Sequence, residues 1–131
     1  MNFEAGVNAV IALALLEYFV FGTIVGFSRG KLGVPAPAIS GNPQWERMFR
    51  AHQNTLEQLI IFVPSMLTFG AFVSARVACG LGLVFIVGRA VYFQGYTAQA
   101  EKRGTGFLIG AIAQMILLIG SLIGAAGAAL G

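Results

Sequence analysis

The chain has 131 residues, 57% of them hydrophobic and 10% charged, with a net charge of +3. A composition this apolar excludes an ordinary soluble domain and points to one membrane unit spanning residues 1–131. Its basic residues lie at segment boundaries beside carboxylates, which excludes a nucleic-acid footprint.

Four apolar segments, about 5–28, 43–73, 77–100 and 105–129, each reach the roughly 20 residues a helix needs to span a hydrocarbon core. The expected fold class is therefore all-α integral membrane, a bundle of four transmembrane helices. Arg29, Lys31, Arg47, Arg50, Lys102 and Arg103 cluster at the joins between the first and second and the third and fourth segments. The positive-inside bias places those joins in the cytoplasm and both termini outside.

The first segment opens Met1-Asn2-Phe3-Glu4 without positive charge, and its apolar run is too long for a cleaved signal peptide. Glu17 interrupts it near mid-span. A carboxylate there serves either as a polar partner for a neighbouring helix or as a carrier of protons or cations. Gly30 offers a left-handed terminator, with Arg29 and Lys31 complementing the helix end. The loop from Leu32 to Gln44 holds Pro35, Pro37 and Pro43 and cannot be helical through its middle. Asn42-Pro43 then reads as an N-cap with proline at the first helical position.

The second segment begins with a polar stripe. At 100° per residue, Arg47, Arg50, Asn54, Glu57 and Gln58 fall within an arc of roughly 100°. Ionisable groups at membrane depth are costly unless they pair or line a cavity, so the stripe is a candidate site. Pro64 predicts a bend further along, and Ser74-Ala75-Arg76 a short polar link. The lone Cys79 excludes an intrachain disulfide and reads as helix packing.

In the third segment Arg89, Tyr92 and Tyr96, with Arg103 beyond them, fall within about 60° and form a second stripe at the same end. The tyrosines alone suit an interfacial aromatic belt. Two arginines in register with them favour a site. In the fourth segment Gln114 is the main polar residue, and Gly106, Gly110, Gly120 and Gly124 predict close helix contacts.

Arginines, a carboxylate, amides and phenols together suit a zwitterionic ligand: guanidinium forks hold carboxylates, and Glu57 accepts an ammonium. A cation near a thiol favours the nucleophilic thiolate. No Ser-His-Asp arrangement, metal-ligand cluster or phosphate loop competes with this reading.

The run Glu46-Arg47-x-x-Arg50-Ala51-x-x-Asn54-x-x-Glu57, followed by Arg89-x-x-Tyr92-Phe93-Gln94-Gly95-Tyr96 and Arg103, resembles the MAPEG family, the membrane-associated proteins of eicosanoid and glutathione metabolism. The resemblance covers nearly the whole chain and is strongest to the branch that conjugates glutathione and forms leukotriene C, as a bacterial relative. It implies a four-helix protomer, a homotrimer in the inner membrane, and glutathione as co-substrate between protomers near the cytoplasmic face. It also implies a hydrophobic electrophile or lipid as second partner, no metal, and a role in detoxification.

Carried over by position, Arg50, Asn54, Glu57, Tyr92 and Tyr96 would bind glutathione, with Gln58 and Arg89 in the same motifs. Arg103 would be catalytic, stabilising the thiolate. Arg29 and His52 would come from the neighbouring protomer; His52 sits about 160° from Arg50 and cannot join its own stripe. Gln58 and His52 stand where the leukotriene-forming branch has tyrosine and glutamine. Hydrogen-bonding capacity survives both changes, but leukotriene specificity does not carry over. The expected activity is thus a glutathione S-transferase, with peroxidase chemistry open to the same thiolate. The alternatives are a non-catalytic lipid-binding or scaffold member, against which Arg103 and both tyrosines argue, and a small proton-coupled multidrug exporter using Glu17.

Overall fold

A computed structural model describes all residues, Met1–Gly131. Asn2 opens the first helix, its side chain accepting the Ala5 amide at 3.0 Å. This helix, α1, spans Phe3–Leu32 and stops at Gly33, whose φ of 72° is the left-handed conformation that glycine adopts without a Cβ clash. The terminator is therefore Gly33 and not Gly30. Gly30 stays helical: Leu32, two residues on, packs against the aromatic cluster that includes Val34 and Trp45, which carries the helix beyond the basic residues.

Helix α2, Pro43–Phe69, begins as expected: Asn42 accepts the Trp45 amide at 3.0 Å and Pro43 occupies the first turn. It continues through Pro64 and passes into a π-helical turn, Gly70–Ser74. Ser74 alone is extended, and its hydroxyl accepts the Val77 amide at 3.1 Å to cap α3, Ala75–Ala98. A 3₁₀ turn, Ala100–Lys102, leads into α4, Arg103–Leu130.

The fold is all-helical, as the composition predicts. The four separate segments read from the sequence are corrected to three continuous helical stretches long and apolar enough to cross a membrane: Phe3–Leu32, Pro43–Ala98 and Ala100–Leu130. The physical reason is that Ser74-Ala75-Arg76 is no loop. The apolar residues ahead of it keep hydrogen-bonding along the helix, and a single extended residue reverses the chain. Straight, the 56-residue middle stretch would be about 84 Å long. Instead α2 and α3 lie antiparallel, with Phe62 stacked on Phe85 at 4.0 Å and Thr55 bonded to Arg89. Each helix runs opposite to the one before it, in an up-down-up-down bundle.

Two apolar clusters fill the bundle. The larger draws on all four helices, around Val10, Phe62, Met66, Phe85 and Leu117. The smaller lies at the proline-rich loop, around Phe21, Trp45, Met48, Tyr92 and Phe93. Between them runs a polar layer: buried Thr55, Arg89 and Gln114, with half-buried Glu17 and Gln58. Helices α3 and α4 meet closely enough that a Cβ on Gly106 would strike the Tyr92 backbone, and one on Gly88 the Gly110 backbone. The outer surface is apolar, with Phe19, Ile60 and Leu122 69%, 68% and 70% exposed. A surface of that kind is suited to lipid and not to water, and the chain is an integral membrane protein.

Candidate functional site

The two polar stripes converge. Arg50 and Asn54 of α2, Tyr92 and Tyr96 of α3, and Arg103, Gly104 and Phe107 at the start of α4 line one cavity of about 330 Å³. Its walls owe their positions to local structure. The 3₁₀ turn folds α4 back beside α3, and Gly106 lets the two backbones touch at Tyr92, bringing Arg103 and Phe107 level with the tyrosines. Tyr92 meets Tyr96 edge-on at 5.6 Å and Phe107 at 6.1 Å. The Arg103 guanidinium lies 5.4 Å from the Tyr96 ring, near enough for a cation–π contact.

Two exposed guanidinium groups, Arg50 and Arg103, open into this space, and no carboxylate lines it. Chemically it is an electropositive cleft with an amide and two phenols, sized for a small anionic or zwitterionic molecule.

Of the remaining stripe residues, Arg47, Arg89 and Gln58 are bonded to protein, whereas Glu57 is exposed. Arg47 donates from Nε to the Tyr96 carbonyl at 3.1 Å and from Nη2 to the Thr97 carbonyl at 3.3 Å. Those carbonyls lie in the last turn of α3, where helical partners run out, so Arg47 fastens the end that carries Tyr96. Arg89 is buried behind the cavity wall and bonded to Asn54 and Thr55. Gln58 accepts a hydrogen bond from Gln114 at 2.6 Å, and Glu57 is exposed beside the cavity without lining it.

Arg29 and His52 lie elsewhere. Arg29 donates to the Ala38 carbonyl at 2.6 Å and to the Val34 carbonyl at 3.3 Å, and stacks over Trp45 at 4.4 Å, clamping the proline-rich loop. His52 stacks on Tyr18 of α1 with ring centroids 4.4 Å apart, on the opposite face of α2 from Arg50. Glu17 is half-buried in the polar layer and has a buried Oε1 with no hydrogen-bond partner.

Three residues escaped the sequence reading. Phe107 follows Arg103 by one turn, so the stripe could have been extended to it. Thr55 adjoins Asn54 but points inward, and the polar arc left it out. Trp45 supports Arg29 and donates from Nε1 to the Val25 carbonyl at 3.0 Å; no periodicity foretells that contact.

The sequence profile of the MAPEG family matches residues 7–123. An uncharacterised protein of Synechocystis sp. is 42% identical over 114 residues, covering 87% of this chain and 83% of its own. Microsomal glutathione S-transferase 2 of Homo sapiens is 40% identical over 115 residues, covering 87% of this chain and 78% of its own. Leukotriene C4 synthase of Mus musculus is 31% identical over 115 residues, covering 88% and 75%.

Proposed function

The chain belongs to the MAPEG family, and from that premise we propose that it is a membrane-bound glutathione S-transferase acting on hydrophobic electrophiles dissolved in the bilayer. The observation that carries the reading is the single cavity lined by Arg50, Asn54, Tyr92, Tyr96 and Arg103. Relatives named as a glutathione transferase and a leukotriene synthase support the same chemistry.

In this reading Arg50 holds a glutathione carboxylate, Asn54 and the phenols hold the peptide, and Arg103 faces the sulfur. A guanidinium beside a thiol stabilises the thiolate, whose proton passes to water at the cavity mouth. The thiolate then forms the carbon–sulfur bond while the electrophile's leaving group departs with its electron pair. With a hydroperoxide, the sulfur takes the distal oxygen and the alcohol leaves. A second glutathione then gives the disulfide and water.

Glu57, exposed at the rim, accepts the glutathione ammonium, and Gln58 offers its amide. Residues 43–98 cross the membrane twice, making four crossings in all, and the protomers form a homotrimer. Arg29 and His52, outside the cavity of their own protomer, face glutathione bound by the next one. The basic joins put the site on the cytoplasmic side of a bacterial inner membrane, with both termini outside. Conjugating electrophiles there is a detoxification role.

Ultraviolet absorbance tests the proposal: glutathione added to purified protein in detergent at neutral pH gives a thiolate signal, and Arg103→Ala abolishes it while calorimetry still detects binding. A silent wild type with no heat of binding would instead support a lipid-binding or scaffold role.

A further inference from the structure

Arg50 and Arg103 open into the cavity, but Arg89, one turn from Tyr92, is 1% exposed. A guanidinium carries five N–H donors and no acceptor. From Nη2 it donates to Asn54 Oδ1 at 2.8 Å and to Thr55 Oγ1 at 2.9 Å, and from Nε to the same hydroxyl at 3.3 Å. Thr55 gives its own hydrogen to the Ala51 carbonyl at 2.8 Å, so its lone pairs alone meet Arg89. The Arg89 Cζ lies over the Tyr92 ring, 4.2 Å from its centre. Asn54 and Tyr92 both line the cavity, whereas Arg89 supports them from behind.

A carboxamide can turn either end to a neighbour, since its oxygen and nitrogen have nearly the same shape. Beside a group that only donates, the choice is forced. With Oδ1 turned away, N–H would face N–H, and a buried donor pair without an acceptor is strongly disfavoured. We propose that Arg89 is a positioning residue that locks the Asn54 carboxamide, so that its NH₂ end, and not its carbonyl, meets the ligand. The polar wall then consists of guanidinium and amide donors with two phenols. The ligand group that reaches Asn54 is an acceptor, a carboxylate or a peptide carbonyl. Glutathione as the molecule supplying that group rests on the transferase reading; the orientation itself does not.

Calorimetry with glutathione separates the possibilities. Asn54→Ala removes one hydrogen bond and weakens binding about fivefold. Asn54→Asp keeps a partner for Arg89 but turns an oxygen toward the ligand's oxygen, and weakens binding roughly 50-fold, well beyond alanine. An aspartate variant that binds as tightly as wild type would overturn the proposal, because the carbonyl would then be the recognising atom.

Nuclear magnetic resonance on ligand-free protein labelled at asparagine nitrogen gives a second, independent reading. The Asn54 NH₂ protons show cross-peaks to cavity water in wild type and in Arg89→Lys, which keeps a donor, and lose that single environment in Arg89→Met. Cross-peaks from those protons to the Arg89 side chain instead of water would also overturn it. If wild type takes no glutathione, the transferase reading falls while the resonance experiment still decides the orientation.

Discussion

The two apolar clusters are built by different means, although both lie inside the same four helices. The larger holds itself together with shape: small residues admit large ones, as where Gly82 receives Val10 and Met66, and no charged group takes part. The smaller, at the loop end, is aromatic and laced with arginine. Arg29 pins the Val34 and Ala38 carbonyls, Arg47 the Tyr96 and Thr97 carbonyls, and Arg89 reaches from the polar layer to Asn54 and Thr55. Helix ends and a proline-rich loop leave carbonyls without backbone partners, and a half-buried guanidinium satisfies two at once. Charge in a membrane chain therefore marks two things, a fastening and a site. Within one protomer, what lies around each arginine tells them apart: Arg50 and Arg103 are exposed at the cavity, and Arg29, Arg47 and Arg89 are bonded to protein.

The sharpest way to break that contrast is to remove one arginine from each class. Arg103→Ala should cost about 10²–10³ in conjugation rate, the scale of deleting one preorganised charge stabiliser, with an unchanged melting temperature in detergent. If the melting temperature fell as well, Arg103 would belong with the fasteners. In the larger cluster, Gly82→Val should do the reverse. Its added carbons meet Val10 and Met66, and overpacking of this kind costs roughly 1–3 kcal/mol. Glutathione affinity of the protein that remains folded should be unaltered. A matched loss of affinity would show that the two clusters are mechanically one.

Arg47→Met lies between these extremes. It frees the carbonyls that hold the end of α3, at a cost of about 1 kcal/mol in stability, and it loosens Tyr96. Glutathione affinity should fall about threefold on a similar energy scale. Calorimetry and thermal unfolding on the same sample would show whether fastening and binding move together, as they do not for Arg103.

Much of this division is legible in the sequence, and the part that is not has a physical cause. Helical phase places Arg50, Asn54, Tyr92, Tyr96 and Arg103 on two stripes, and a cap at Asn42-Pro43 needs only local chemistry. Phase says nothing of depth between helices, so Arg89 and Arg47 share their stripes' directions while being bonded to protein. The reversal at Ser74 falls where the sequence reads a short polar link, but its form is hidden: the residues of Gly70–Ser74 are as compatible with helix as with a turn, and one extended residue leaves no compositional trace. Gly30 and Gly33 are both glycines beside basic residues. The choice between them lies in the packing of Leu32 against a cluster drawn from α1, α2, α3 and the loop, which local sequence does not show.

The smallest expected effect concerns the polar layer that separates the clusters. Gln114 donates from Nε2 to Gln58 Oε1 at 2.6 Å, yet its own Oε1 is buried without a partner. Replacing it with leucine removes one interhelical hydrogen bond and at the same time one unsatisfied acceptor, two changes of opposite sign. Interhelical hydrogen bonds in membranes average about 0.6 kcal/mol, and an unpartnered buried acceptor costs the fold about 1 kcal/mol or more. Gln114→Leu should therefore leave stability within about 1 kcal/mol of wild type, and glutathione affinity unchanged, since Gln114 does not line the cavity. Thermal unfolding in detergent measures the first and calorimetry the second. A loss well above 1 kcal/mol would mean that the layer acts as a cooperative network joining the clusters, with Gln114 as one of its members and the division between fastening and site less complete than the arginines suggest.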